Sequence, residues 1–359
     1  MRIGPKLRAT LAAAVLFVGP MVVWPSDAAV FGADERGALP VRHKSLTRSI
    51  ALLFNVKSKT VCSAFCVADD VIATAGHCLF KTAGEAPLDA NDFRFGQPLS
   101  RPDAFARVAG SHNGTAAQNV RAGNTRLSVK PPIDAVQDWA LVRLDRPACK
   151  GAVLPVRPMP STEIMIQAAA GNVFHAAFHR DRLPWKLLHA GPCVMAPAFD
   201  KVDRAQIEQD FRSPERLLLH RCDTAGASSG SPLLLDTPSG PVAIGGNVGT
   251  YVQSRILVQD GTVMFRTKPE SIANTAVNVQ AFADQIAEFA RLPKRQDLVS
   301  RSNRASSSLE SGISATSGLI APRDLRPSIH PANASSRTGV AHSKSVDRST
   351  GGRNNTNVP

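Results

Sequence analysis

The apolar residues of this chain come in short runs, such as Val71–Ala73, Ala140–Leu144, Pro232–Leu235 and Val242–Ile244, and turn-forming residues close each one. Runs of that length suit buried strands and are too short for ordinary helices. The 25 Gly and 26 Pro punctuate the chain often, and only 15 Phe, 3 Trp and 1 Tyr supply aromatic bulk. An all-β fold is therefore expected. One segment departs from the pattern: Val279, Phe282, Ala283, Ile286, Phe289 and Ala290 recur at three- and four-residue spacing, which predicts an amphipathic helix over about 278–292. With 359 residues, 43% hydrophobic and 20% charged, the chain can bury one large core or two ordinary ones. Collagen-like, wholly disordered and multi-span membrane classes are excluded, and no internal repeat is visible.

The two ends differ from the middle. Arg2, Lys6 and Arg8 precede an apolar run from Leu11 to Trp24, and Ser26-Asp27-Ala28 offers a small-x-small site, so residues 1–28 read as an export signal cut after Ala28 or Ala29. A secreted or periplasmic location follows. An uncleaved anchor is the weaker alternative, because Gly19 and Pro20 interrupt a run already short for a bilayer. Six cysteines in an exported chain favour disulfides over thiols, and no CxxC pair suggests zinc. Residues 294–359 turn to Ser, Arg, Asn, Thr and Gly without an apolar period, and read as a disordered basic tail. Such a tail suits a weak tether to anionic surfaces, or plain solubilisation. Of the net charge of +13, the tail carries +6 and the first 28 residues +2, leaving +5 for the middle. That excess is too small to argue for nucleic-acid binding.

Three segments carry chemistry. In Cys62-Ser-Ala-Phe-Cys66-Val-Ala-Asp-Asp-Val-Ile-Ala-Thr-Ala-Gly-His77-Cys78 an apolar strand ends on a histidine flanked by a cysteine, with a second cysteine sixteen residues upstream. In Asp134-Ala-Val-Gln-Asp138-Trp-Ala-Leu-Val-Arg-Leu144 a carboxylate opens a strand, where it can accept an imidazole N–H and fix its tautomer. Asp138 is the better candidate than Asp134. In Cys222-Asp-Thr-Ala-Gly-Ala-Ser-Ser229-Gly-Ser-Pro232-Leu a tight turn can aim a serine oxygen and present backbone N–H groups to a developing oxyanion. Each alone is an ordinary structural feature; their order carries the signal.

Together these segments resemble the chymotrypsin-like serine proteases, with a nucleophile turn similar to that of bacterial glutamyl-endopeptidase-like members. The resemblance covers roughly residues 30–292. It implies two six-stranded antiparallel Greek-key barrels, over residues 29–157 and 158–293 with the closing helix, and a cleft between them. It implies a serine endopeptidase acting on protein or peptide substrates through an acyl-enzyme, with His77, Asp138 and Ser229 as triad and the N–H groups of Ala227 and Ser229 as oxyanion hole. No metal or organic cofactor is implied. Disulfides Cys62–Cys78 and Cys193–Cys222 follow from the same resemblance, which leaves Cys66 and Cys149 for each other.

Other readings compete. Gly226-Ala-Ser228-Ser-Gly230 fits the nucleophile elbow of α/β hydrolases with Ser228 as nucleophile, but the only histidines after it are His330 and His342, in the tail. A non-catalytic homologue binding partners through the same cleft is the other alternative. Two residues depart from the family pattern. Ala227 stands where a glycine is usual, and its side chain resists the backbone conformation an oxyanion hole requires. Ser228 replaces the aspartate that captures a new N-terminus in trypsin-type enzymes, so activation of that kind is not expected. For specificity, Asp223 lies six residues before Ser229, where trypsin-like enzymes pair a carboxylate with substrate Arg or Lys. The glutamyl-endopeptidase-like group has the same Asp-Thr pair without that preference, which implies the alternative of a structural hydrogen bond at the pocket base. Gly245 and Gly246 would leave the pocket wall open. A basic residue before the cleaved bond is favoured, then an apolar one, and an acidic one last.

Overall fold

The computed structural model describes residues 29–80, 87–128, 131–195, 204–253, 256–259, 262–266 and 270–292. The expected export signal and basic tail lie outside the described residues.

Sixteen strands occur among them. The first eight are β1 (Gly37–Ala38), β2 (Ile50–Asn55), β3 (Val61–Ala68), β4 (Val71–Thr74), β5 (Phe93–Gly96), β6 (Ala106–Arg107), β7 (Val120–Ala122) and β8 (Ala140–Arg143). The rest are β9 (Val173–Ala177), β10 (Leu188–Ala190), β11 (Leu217–His220), β12 (Pro232–Leu235), β13 (Val242–Gln253), β14 (Ile256–Gln259), β15 (Thr262–Arg266) and β16 (Glu270–Asn278). One antiparallel sheet has the order β6-β5-β2-β3-β4-β8-β7, and the other β1-β10-β9-β12-β13-β16-β11. Bridges between Val108 and Leu144, and between Met195 and His220, curl each sheet back on itself. The result is the two-barrel fold of chymotrypsin-like proteins, with few helices. Each sheet holds seven strands instead of the expected six, because strands of two or three residues extend the edges.

The continuous apolar runs have a simple cause: each strand has a core on both faces. Ala51, Leu53, Ala64, Cys66, Ile72, Ala140 and Val142 face the interior of the first barrel. Their neighbours Ile50, Leu52, Phe65, Val67, Val71, Ala73 and Leu141 face the contact between barrels. In the second barrel Val173, Leu233 and Leu235 point inward, while Phe174 and Leu234 join the shared core. Successive side chains of a strand point to opposite faces, so alternate residues serve the two cores.

The predicted helix forms as a short 3-10 turn at Val279–Ala281 followed by an α-helix at Ala283–Arg291. Its Phe282, Ile286 and Phe289 enter the shared core, and Phe282 stacks on Trp139 with ring centroids 5.5 Å apart. The expected span of the first barrel, residues 29–157, needs one correction, at its start. Residues 29–38 belong with the second barrel, since Ala29 bridges Thr224 and β1 pairs with β10. The open edge of β10 gives those backbone groups their partners.

Three disulfides join Cys62 to Cys78, Cys66 to Cys149 and Cys193 to Cys222. Among the described residues no helix is long and apolar enough to cross a membrane.

Candidate active site

Strand pairing brings His77 and Asp138 together. β4 and β8 run antiparallel with Thr74 opposite Ala140, so the residues just after β4 meet those just before β8. His77 opens a short helix there, and Asp138 ends a 3-10 turn. Asp138 Oδ1 accepts the His77 backbone N–H at 2.8 Å, and Oδ2 accepts Nδ1–H at 2.7 Å. Those bonds place the proton on Nδ1 and leave Nε2 with a free lone pair, the tautomer a general base needs. Gly76 permits the approach, because a Cβ there would lie 3.2 Å from Asp138 Oδ1 and 3.3 Å from Trp139 O. Burial by itself would lower the imidazole pKa, but the charge of Asp138 and its hydrogen bond outweigh it and hold His77 above its ordinary value. Asp134 takes no part in this pair; its carboxylate accepts from Asn124 Nδ2 at 2.8 Å.

Ser229 lies on the facing wall, in the turn that leads into β12. Gly230 follows it at φ +82°, and a Cβ there would lie 2.1 Å from Thr74 Oγ1 and 2.4 Å from Ser63 O. Only glycine lets the turn press this closely on the ends of β3 and β4, beside His77. Among the described residues no hydrogen bond joins Ser229 to the His77 imidazole. The disulfide sulfur of the adjoining Cys78 lies 3.9 Å from Ser229 O. Catalytic hydrogen bonds are often long without substrate and tighten in the complex. Ser228 is buried at 3% exposure and accepts from Asn247 Nδ2 at 3.2 Å, so it cannot serve as an exposed elbow nucleophile.

The turn is anchored carbonyl by carbonyl. Gly226 O accepts from Arg180 N at 2.7 Å, Ala227 O from Ser63 Oγ at 2.9 Å, Ser228 O from Ser231 Oγ at 2.6 Å, and Ser229 O from Ser63 N at 2.9 Å. Ala227 adopts φ +78°, the left-handed region that an alanine occupies only at a cost. The sequence showed the alanine but not the anchors that hold it, because Ser63, Arg180 and Ser231 carry no signal apart from the fold.

The expected substrate contacts need correction. Asp223 is buried at 3% exposure, and its oxygens accept the backbone N–H of Phe31 at 2.9 Å and of Glu35 at 2.8 Å. The carboxylate thus fastens the N-terminal segment, a structural role. Gly245 packs inside the second barrel, where a Cβ would lie 3.0 Å from Leu218 and 3.1 Å from Val277 O, whereas the space beside Gly246 is open. Gly245 therefore has no room to face a substrate, while Gly246 leaves open space on its side of the strand. A cleft of about 340 Å³ does open beside His77 and Asp138, walled mostly by apolar Leu127, Ile133, Phe211 and Val248 but also by Ser128 and Asp134.

Two groupings bring a histidine close to two cysteines, Cys62-His77-Cys78 and Cys193-His220-Cys222. All four sulfurs are in disulfides and are not thiolates, so neither set fits a metal ion.

The trypsin-like peptidase domain family matches residues 62–244, from the first cysteine of the histidine segment into β13, and the chain belongs to that family. It is therefore a member of a serine peptidase family, whose substrates are proteins or peptides. Among solved structures, a Glu endopeptidase in complex with MPD is similar at 15% identity, covering 73% of this chain and 99% of that one, with a TM-score of 0.47. The thermostable serine protease AL20 from an extremophilic microorganism is similar at 16% identity, over 68% and 98% of the two chains, with a TM-score of 0.43. No curated protein matches the chain.

Proposed function

We propose that this chain is an exported serine endopeptidase that cleaves peptide bonds through an acyl-enzyme. Ser229 is the nucleophile and His77 Nε2 takes its proton, then returns it to the leaving amine. Asp138 holds the imidazole in the Nδ1–H tautomer and stabilises the imidazolium, while the N–H groups of Ala227 and Ser229 receive the oxyanion. The observation that carries this reading is the double contact of Asp138 with His77 N and Nδ1 at 2.8 and 2.7 Å. With Asp223 bound to the N-terminal segment, selectivity rests on the mostly apolar cleft beside His77, which takes an apolar side chain of the substrate. Export is supported by the basic and apolar start of the chain and by three disulfides, which persist in oxidising compartments. The tail at 294–359 is proposed to be dispensable for turnover and to act as a weak cationic tether.

The lack, among the described residues, of a hydrogen bond from Ser229 to the His77 imidazole favours the second reading, a non-catalytic homologue that only binds partners. A fluorophosphonate probe separates the two. The protease reading expects stoichiometric labelling of Ser229 that Ser229→Ala abolishes; a purified, folded protein that does not label is a binding protein.

A further inference from the structure

His175 and Ser231 lie behind the nucleophile turn, both at 0% exposure, and the triad uses neither. We infer that they are positioning residues, forming a relay that orients and polarises the peptide unit carrying the Ser229 N–H. The inference rests on the reading of Ser229 as nucleophile and of its N–H as an oxyanion donor.

A trans peptide is planar, with its C=O and N–H pointing in opposite directions. Whatever fixes the Ser228 carbonyl therefore fixes the direction of the Ser229 N–H. Ser231 holds that carbonyl twice, through its hydroxyl at 2.6 Å and its backbone N–H at 3.1 Å. His175 Nε2 lies 2.6 Å from the same hydroxyl. The proton assignment follows from counting. A carbonyl only accepts, so the single Ser231 hydroxyl proton goes to Ser228 O, and His175 Nε2–H must donate to Ser231 Oγ. His175 Nδ1 is then the bare nitrogen, and among the described residues it has no hydrogen-bond partner.

Burial, with the neighbouring His220, His179 and His189, holds the His175 pKa well below its ordinary value, so the ring stays neutral and keeps that tautomer. Its position is rigid because β9 is paired on both sides, with His175 opposite Ala190 on β10 and Leu233 on β12. In a dry interior, consecutive hydrogen bonds strengthen one another. The run from imidazole through hydroxyl and carbonyl ends on the Ser229 N–H and makes it a stronger donor to developing negative charge. Among the described residues the other proposed oxyanion peptide, Gly226–Ala227, is anchored only by the backbone N–H of Arg180, so the side-chain relay acts at the Ser229 end.

An interaction of this kind matters in the transition state and hardly at all in the ground state. The test is steady-state kinetics on a peptide substrate, with thermal unfolding recorded for each full-length variant. Loss of a whole oxyanion donor costs about 10²- to 10³-fold; Ser231→Ala, which weakens one donor, should lower kcat by about 10- to 100-fold while KM stays within about twofold. A peptide boronic acid should lose affinity by a similar factor. Ser231→Thr, which keeps the hydroxyl, should recover most of the rate, and His175→Gln, which keeps a donor, should outperform His175→Leu. Wild-type kcat in Ser231→Ala overturns the relay. So does a loss confined to KM, or one that Ser231→Thr does not recover in a protein with wild-type melting. If Ser231→Ala does not fold, the two His175 variants decide, and equal rates in them overturn it. A wild-type protein whose Ser229 does not react with fluorophosphonate overturns the underlying reading as well, an outcome that the variants by themselves cannot produce.

Discussion

On the first-barrel wall of the cleft, His77 is held by one carboxylate, an adjoining disulfide and the pairing of β4 with β8. On the second-barrel wall, the Ser229 turn is held by uncharged groups gathered from far along the chain: Ser63, the Arg180 backbone, Asn247, and Ser231 with His175 behind it. A carboxylate acts strongly from a single position, and its loss is felt at once. Neutral hydrogen bonds contribute about 0.5–1.5 kcal/mol each, so the turn depends on many of them acting together. One wall should therefore be fragile to single changes and the other graded.

The largest effects should fall on the charged wall and on the nucleophile itself. Ser229→Ala and His77→Ala should each remove nearly all hydrolysis, and Asp138→Asn should lower turnover on the order of 10⁴-fold by losing the Nδ1–H tautomer. Ser231→Ala, on the graded wall, should cost far less. Steady-state kinetics with folding checked by circular dichroism measures all four, and equal losses in Asp138→Asn and Ser231→Ala would erase the contrast.

Next come the disulfides. Closing a loop of about fifteen residues contributes roughly 3 kcal/mol, so replacing Cys62 and Cys78 by Ala should lower the melting temperature markedly. Cys78 adjoins His77, whereas Cys193–Cys222 ties two segments of the second barrel. Removing the first should therefore reduce kcat even well below melting, and removing the second should act on stability alone. Equal kcat in the two double variants would show that the disulfide beside His77 positions nothing.

Asp223 tests the second wall from its N-terminal side. An asparagine cannot accept both the Phe31 and Glu35 N–H groups, and leaving a buried donor unsatisfied costs about 1–3 kcal/mol. Asp223→Asn should lower the melting temperature without changing the order of preference among substrates for the residue before the cleaved bond. A selective loss of cleavage after Arg and Lys would restore the carboxylate to the pocket.

The two walls also differ in how far the sequence disclosed them. The histidine wall was legible because its parts lie at strand ends: seventeen residues from Cys62 to Cys78 hold the strand, the glycine and the imidazole, and Asp138 opens the apolar run that pairs with them. The alternation of two cores was legible only as unbroken apolar runs, which do not say which face meets which barrel. The turn itself was visible at 222–232, but not what holds it. Ser63 and Ala227 are 164 residues apart and meet only once the barrels pack, and His175 and Ser231, 56 apart, meet only once β9 lies beside β12. Asp223 was left between a pocket role and a structural hydrogen bond for the same reason, since position relative to Ser229 cannot reveal that the N-terminal segment folds back onto it.

The acid limb of activity offers a smaller, continuous measure. His77 must be neutral to act as base, and Asp138 holds its pKa above the ordinary value of about 6.5. kcat/KM should fall about tenfold per pH unit below a midpoint higher than that value. Stability moves the other way. The His77–Asp138 pair contributes fully below the unfolded imidazole value, and that contribution is lost as pH rises through the higher folded one. Asp138→Asn should shift the midpoint down, because burial then acts unopposed, while Ser231→Ala should leave it in place. A midpoint that does not move in Asp138→Asn would remove the carboxylate from the account of the first wall.

The smallest effect should come from Ala227→Gly. Alanine at φ +78° carries a penalty of about 1–2 kcal/mol, while glycine has a larger unfolded-state entropy of about 0.5–1 kcal/mol to lose. The two nearly cancel, so the melting temperature should rise by a few degrees at most, and kcat should hold or rise slightly. The informative result comes from adding Ser63→Ala, which removes the hydroxyl bonded to Ala227 O at 2.9 Å. If that bond holds the alanine in its strained conformation, Ser63→Ala should lower kcat more in the wild-type background than in the Ala227→Gly background. Because glycine adopts this φ without strain, the anchor matters less to it, although glycine can also flip away more freely. The sign of the coupling in a double-mutant cycle decides between those tendencies. A larger loss in the Ala227→Gly background would mean that the anchors restrain a turn that is floppy rather than strained.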